Sequence, residues 1–273
     1  MISPEAWNIE HNKLHHYRLN EDHDPDLAIQ NTAWLRKSTI PQPIKMLIVG
    51  ILASTWKLSY YTWNTYRYYF YDGKEDLTTA VKDDGPMQGL SRAVTGSVMN
   101  INYLSALIFK VVLPYFFYRL FLIPIVFYFL YNNSWEMFMN VFMNMLCVEA
   151  ACNLITFCVI VPNHTGDDMW YFDTPCKANS SDFYVRAIVG SANYYTGSKI
   201  TDFLQGYLNY QIEHHMFPEL APIQLRRIQP RVKALCLKYE LPYVQESIFS
   251  RVKKTVDIMT GATDMINWPN DRI

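Results

Sequence analysis

Two long apolar runs dominate the pattern of hydrophobic and polar positions along this chain. Residues 136–166 (EMFMNVFMNMLCVEAACNLITFCVIVPNHTG) hold only Glu136, Glu149 and His164 as ionisable groups. Residues 111–131 (VVLPYFFYRLFLIPIVFYFLY) are similar, with Arg119 inside and two prolines, Pro114 and Pro124. A helix needs roughly 20 apolar residues to cross a bilayer core, and both runs are long enough. The short polar link Asn132-Asn133-Ser134-Trp135 joins them. The pattern predicts a transmembrane helical hairpin whose two ends return to the same side. Two buried helices of a soluble core are the competing reading, though core helices are usually shorter. Arg119 and Glu149 would each be costly against lipid, so both are expected to face protein or water.

A weaker apolar segment, 44–71 (IKMLIVGILASTWKLSYYTWNTYRYYFY), is interrupted by Lys57 and Arg67. Its tyrosines and tryptophans suit the headgroup level, and it reads either as a span or as an interfacial helix. Residues 72–92, with KEDLTTAVKDDGP, read as a polar loop. After Pro218 the chain becomes polar. There Leu225, Ile228, Val232, Leu235 and Tyr239 step by three and four between basic residues, which predicts an amphipathic basic helix. Its outer face reads equally as solvated or as a contact for a membrane surface or an acidic partner.

Composition narrows this picture. Half of the 273 residues are hydrophobic and 15% are aromatic, while the net charge of −1 leaves no footprint for nucleic acid. The five cysteines (Cys147, Cys152, Cys158, Cys176, Cys236) follow no zinc spacing and read as reduced packing residues. The first residues lack the positive and apolar regions of a secretory signal. The fold class expected is all-α, an integral membrane helical protein.

The histidines carry the chemistry. Six of seven fall into three places: His11, His15 and His16; His164; His214 and His215, with His23 left over. On an α-helix, positions i and i+4 share a face, so His11 and His15 are expected to converge on one ion. His16 is turned about 100° further and would serve a second ion or the other side of the same one. A lone histidine is usually a satisfied surface or core residue. Two clusters beyond the two ends of one hairpin, with His164 on the same side, point instead to a nitrogen-rich transition-metal site, with iron a natural occupant.

The strings HNKLHH (11–16), NEDHDPDL (20–27) and QIEHHMFPEL (211–220) resemble the second and third histidine boxes of the membrane fatty acid desaturases. The resemblance spans nearly the whole chain, because a hairpin between those boxes also belongs to the family pattern. Gln211 in place of a leading histidine resembles the front-end subfamily, which includes acyl and sphingolipid desaturases. The resemblance implies a di-iron centre ligated by His11, His15, His16, His164, His214 and His215. Gln211 is expected beside the ligands rather than on iron. Glu10 and Glu213 are expected either to orient a ligand ring or to be solvated near the membrane surface. Asp24 and Asp26 are expected to fix the turn at Pro25, and His23 to be exposed.

On that resemblance the chain is one desaturase-like domain. Residues 1–43 hold the second box, 44–71 the interfacial or membrane helix, 104–161 the hairpin, and 162–273 a cytosolic helical cap with the third box. Its implied activity is front-end-like desaturation of a lipid acyl chain, supplied as acyl-lipid or acyl-thioester. Dioxygen and electrons from a cytochrome b5-type haem donor would be consumed. Imidazole ligands suit such an oxidising site, whereas thiolates would be oxidised. No haem-binding HPGG string occurs here, so the donor is expected outside this sequence. The implied location is the endoplasmic reticulum in a eukaryote, with the boxes facing the cytosol. One family feature is missing: apart from His11–His15 there is no HxxxH, so the first box and its hairpin are expected upstream, in an N-terminal third not included here. Two alternatives accompany this reading. One is a lipid hydroxylase of the same di-iron class, and the other a non-catalytic fragment or partner of a full-length desaturase.

Overall fold

The computed structural model describes residues 3–62, 64–65, 105 and 107–269. The polar loop expected over 72–92 and the end of the 44–71 segment lie outside the described residues.

The architecture is mostly helical. The apolar hairpin consists of α2 (Ile108–Leu130) and α3 (Trp135–Ile160), packed along each other. Both are long and apolar enough to cross a membrane, and little of either is covered by protein. Phe109, Phe129 and Ile155 are each more than 60% exposed, which suits lipid as the solvent of this surface. The link is tighter than expected. Asn132 and Asn133 adopt left-handed backbone (φ 56° and 61°), a conformation asparagine tolerates better than other non-glycine residues. Ser134 then caps α3 by accepting from the Met137 amide at 3.2 Å, so Trp135 belongs to the helix and not to the link.

The prolines of α2 leave a visible trace. Pro114 and Pro124 each stand at the start of an α-helical stretch preceded by a widened, i→i+5 stretch (Ile108–Val112 and Phe117–Leu122). A proline offers no N–H to the preceding turn, and locally widening the helix is one way to absorb that loss.

Arg119 and Glu149 meet each other across the hairpin. Tyr115 donates to the Glu149 carboxylate at 2.7 Å, and Lys57 stands 3.8 Å from its other oxygen. The Asn153 amide donates to the Glu149 carbonyl at 2.7 Å and accepts from the Lys57 backbone at 2.8 Å. Three segments are thus tied at one polar knot inside an apolar zone.

Within the 44–71 segment the described residues form a helix up to Ser54 and then a widened stretch over Lys57–Tyr61. Helix α1 (Gln42–Ser54) packs against α3 and the last long helix, with Val49 and Ala53 buried against Phe157 and Met259. Its opposite side leaves Met46, Leu47 and Ile51 exposed. After α3 the chain continues through α4 (Ser181–Val189), α5 (Lys199–Leu204), α6 (Gln211–Met216), α7 (Pro222–Lys238) and α8 (Ile248–Thr260). Two two-residue parallel ladders join them: β1 (Trp170–Tyr171) with β4 (Ile266–Asn267), and β2 (Asn193–Tyr194) with β3 (Gln245–Glu246). A core of Ile188, Ile212, Met216, Val232 and Cys236 seats α6 between α4 and α7.

The basic helix α7 forms as its periodicity predicts, but the buried line differs. Leu225, Val232 and Cys236 are buried, while Leu235 and Tyr239 face outward. A step of four from Val232 selects Cys236, and Tyr239 falls just past the helix end. All five cysteines are free; Cys236 is buried in the core, whereas Cys147 is exposed on α3.

Candidate metal centre

The first histidine cluster is set by an unusual turn. Ser3 caps a short helix by accepting from the Ala6 amide at 3.0 Å, and the backbone then widens into an i→i+5 helix over Asn8–Leu14. A tight three-residue turn, His15–Tyr17, follows. The widened turn changes which imidazoles are neighbours. His11 lies closer to His16 (ring centroids 4.4 Å apart) than to His15 (5.3 Å). His11 stays within reach of His15, in a group with Asp26 that could hold a cation, and also meets His16, because in this turn the i and i+5 positions come together.

The second cluster rides on α6. Tyr207, in left-handed backbone (φ 61°), opens a short turn into that helix. The side chain of Asn193 receives the Ile212 amide at 2.9 Å and donates to Glu213 at 2.9 Å. Tyr243 donates to the other Glu213 oxygen at 2.8 Å. Glu213 is fully buried, and both its oxygens are used to hold the helix. The expected roles for Glu213, a ring partner or a solvated carboxylate, are both corrected. Burial pushes its carboxyl pKa up, against the two hydrogen bonds. Glu10 is buried as well and accepts from Asn64, so it too is no solvated carboxylate.

Six imidazoles converge in two groups of three. His11, His16 and His214 form one, and His15, His164 and His215 the other; within each group one nitrogen per ring lies within 4.8 Å of the others. The His15, His164 and His215 centroids are 4.7–4.9 Å apart, and every pair is edge-to-face. His23 is half-buried and belongs to neither group.

The donor set fits a metal on its own chemistry. His15 Nε2, His16 Nε2, His164 Nδ1 and His215 Nδ1 are buried without a hydrogen-bond partner among the described residues. Buried polar atoms left in this way are uncommon and ask for a missing ligand. Burial, followed by the neighbouring rings, holds His16, His164 and His215 well below the ordinary histidine range and lowers His214 to about 4. Both causes favour the neutral imidazoles that ligation requires. His15 differs. Burial lowers it, but the Asp24 and Asp26 carboxylates outweigh that and raise it to about 9.

Asp24 is the residue that motif reading undervalued. Its Oδ2 receives the Asn20 amide at 2.8 Å and its Oδ1 the Asp26 amide at 2.9 Å, fixing the turn at Pro25 as expected. The same Oδ1 stands 2.8 Å from His15 Nδ1, leaving Nε2 to face the group. A carboxylate on the far ring nitrogen fixes tautomer and orientation and raises ligand basicity. Asp24→Asn is expected to weaken metal affinity about 10- to 100-fold, read by competitive titration against a chelator. Unchanged affinity would remove Asp24 from the site.

Asp26 lies 3.5 Å from His15 Nδ1 and accepts from Tyr60, and with His11 and His15 it makes a third cluster that could hold a cation. Gln211 sits between the second group's rings, its amide nitrogen 3.1 Å from His164 Nε2 and 3.2 Å from His215 Nε2. Alongside lies an apolar cavity of ≈ 240 Å³, walled by Trp7, Trp56, Tyr60, Leu208 and Met259 and reaching His11, His164 and His214.

A long, lipid-suited helical hairpin with two three-histidine groups beside one of its ends defines a membrane-type metalloprotein with a nitrogen-rich centre. The sequence pattern of the fatty acid desaturase family matches residues 1–247, and the chain belongs to that family. It is similar to an NADPH-dependent stearoyl-CoA 9-desaturase of Mycobacterium tuberculosis, 33% identical over 38% of this chain and 23% of the relative. It also resembles Delta(8)-fatty-acid desaturase 2 of Arabidopsis thaliana, 35% identical over 41% of this chain and 22% of the relative. An acyl-lipid (9-3)-desaturase of Physcomitrium patens is 34% identical over 38% of this chain and 18% of the relative. The chain therefore matches less than a quarter of the length of each of these relatives. No solved structure matches it.

Proposed function

We propose that this chain carries the di-iron centre of a lipid acyl-chain desaturase of the front-end type. His11, His16 and His214 hold one iron, and His15, His164 and His215 hold the other. The observation that carries the reading is the shared wall between these two groups and an apolar cavity. Iron in such a site supplies the oxidising power, drawn from dioxygen, that an unactivated methylene requires. The protein's own residues do the rest. Asp24 orients His15, Gln211 braces the His164–His215 pair, and the aromatic wall takes an acyl chain and excludes water. Support for lipid as the substrate comes from the family and from relatives whose names specify acyl-CoA, acyl-lipid or fatty-acid desaturation. Electrons come from a cytochrome b5-type donor outside this sequence, and the site faces the cytosol, in a eukaryote from the endoplasmic reticulum membrane.

The test is the lipid profile of cells expressing the chain in a host with its own electron donors. Fatty acids with two hydrogens fewer, absent from cells carrying the empty vector, are the expected result. A hydroxylated product instead would convert the reading to a hydroxylase of the same metal class. An unchanged profile, even with a full-length desaturase co-expressed, would remove the enzymatic reading.

A further inference from the structure

One buried cation is committed to the main chain around His164. Arg251 lies on α8, beyond the stretch matched to the family, and its side chain is completely buried. Its Nε donates to the Pro162 carbonyl at 3.0 Å and its Nη2 to the Thr165 carbonyl at 2.9 Å. Its Nη1 donates to Asp168 Oδ1 at 2.6 Å. The two carbonyls bracket His164. One helical turn further along α8, the Thr255 hydroxyl stands 3.3 Å from the same Thr165 carbonyl. At Gly166 the chain passes so close that a Cβ would lie 2.8 Å from the Arg251 guanidinium.

A buried arginine is costly unless its charge and donors are matched. Here the planar fork is matched to two backbone carbonyls and one carboxylate, which an ammonium on a flexible stem cannot reproduce. The turn has further supports: Asn163 donates to the Leu208 carbonyl at 2.9 Å, the Ala192 amide donates to the Asn163 carbonyl at 2.8 Å, and Lys254 of α8 donates to Asp168 Oδ2 at 2.7 Å. Among the described residues, Arg251 alone donates to carbonyls on both sides of His164. None of its hydrogen bonds among the described residues goes to an imidazole, so its effect on the site runs through backbone.

We propose that Arg251 is a positioning residue for the metal centre: its guanidinium clamps the 162–168 turn so that the His164 ring meets His15 and His215. The inference rests on the reading that this trio binds iron. Its signature is selectivity. The group formed by His11, His16 and His214 has no member on the clamped turn, so its ion should remain when the clamp is lost.

The experiment measures iron per chain by mass spectrometry on full chains purified from membranes: wild type, Arg251→Lys, Arg251→Ala, His164→Ala and the Arg251→Lys/His164→Ala double variant. Expected values are about two for wild type and about one for every variant, with no further loss in the double variant. Arg251→Lys keeps a buried positive charge and serves if Arg251→Ala does not fold, with gel filtration and circular dichroism reporting the fold. Two irons retained in both Arg251 variants would overturn the clamp. Loss of both irons together would also overturn it, because a general structural role empties both groups. A failure of the ligand assignment looks different: wild type without iron, or His164→Ala still holding two, removes the trio itself and the clamp with it.

Discussion

Replacing His215 with alanine is expected to lower product formation by more than about 100-fold, beyond the 10- to 100-fold typical of changes that only touch a ligand's support. His215 is completely buried, and its ring meets both His15 and His164 edge-on. It is also one of the two rings braced by the Gln211 amide. Removing it takes a ligand from the group and leaves that amide with one imidazole instead of two. Iron per chain, by mass spectrometry, should fall by about one. The helix should survive, because its anchors are Asn193 and Tyr243 on Glu213 and not the histidine itself. Wild-type product from a well-folded His215→Ala protein would sink the ligand assignment.

Inserting an alanine after Lys13 should be nearly as damaging, although Lys13→Ala should not be. The Lys13 side chain is exposed, and exposed substitutions of this kind usually fall within about 0.5 kcal/mol. The backbone it occupies is another matter. It lies inside the widened turn that brings His11 to His16. Adding one residue there moves His11 by about 100° and about 1.5 Å relative to His16 if the added residue continues the helix. His11 would leave His16 and His214, while His15, held by Asp24, and its partners would stay. The expected readout is about one iron per chain and loss of product in the insertion, against two irons and near-normal product in Lys13→Ala. Equal behaviour of the two variants would mean that the widened turn is not what sorts the ligands.

The hairpin was legible in the sequence because its signal is long and redundant. Every residue from Trp135 to Ile160 contributes to one apolar average, so the ends could shift slightly without changing the conclusion. The sorting of histidines into two groups was not legible. HxxxHH has the same spacing in an α-helix and in a widened one, and only the backbone decides whether His11 faces His15 or His16. Asp24 escaped for a related reason. A carboxylate in a turn beside a proline reads as turn chemistry, and nothing in its spacing from His15 reveals that one oxygen also reaches a ring. Arg251 carried no signal at all, since its partners are carbonyls of a turn remote in sequence. In α7 the periodicity predicts the helix but not its buried line, which runs through Cys236 and not Leu235 or Tyr239.

The polar knot around Glu149 has a consequence for alignment. An apolar helix among lipids and apolar neighbours has little to fix its rotation about its own axis. Glu149 supplies an index mark: it is engaged by Arg119 and Tyr115 from one side of α3 and by Lys57 from another segment. Each residue of slip along α3 would turn it by about 100° and send that carboxylate towards hydrocarbon. The same helix runs on through Ile160 into the turn that bears His164. A charge cluster deep in the apolar layer thereby sets the compass bearing at which an imidazole arrives at the site.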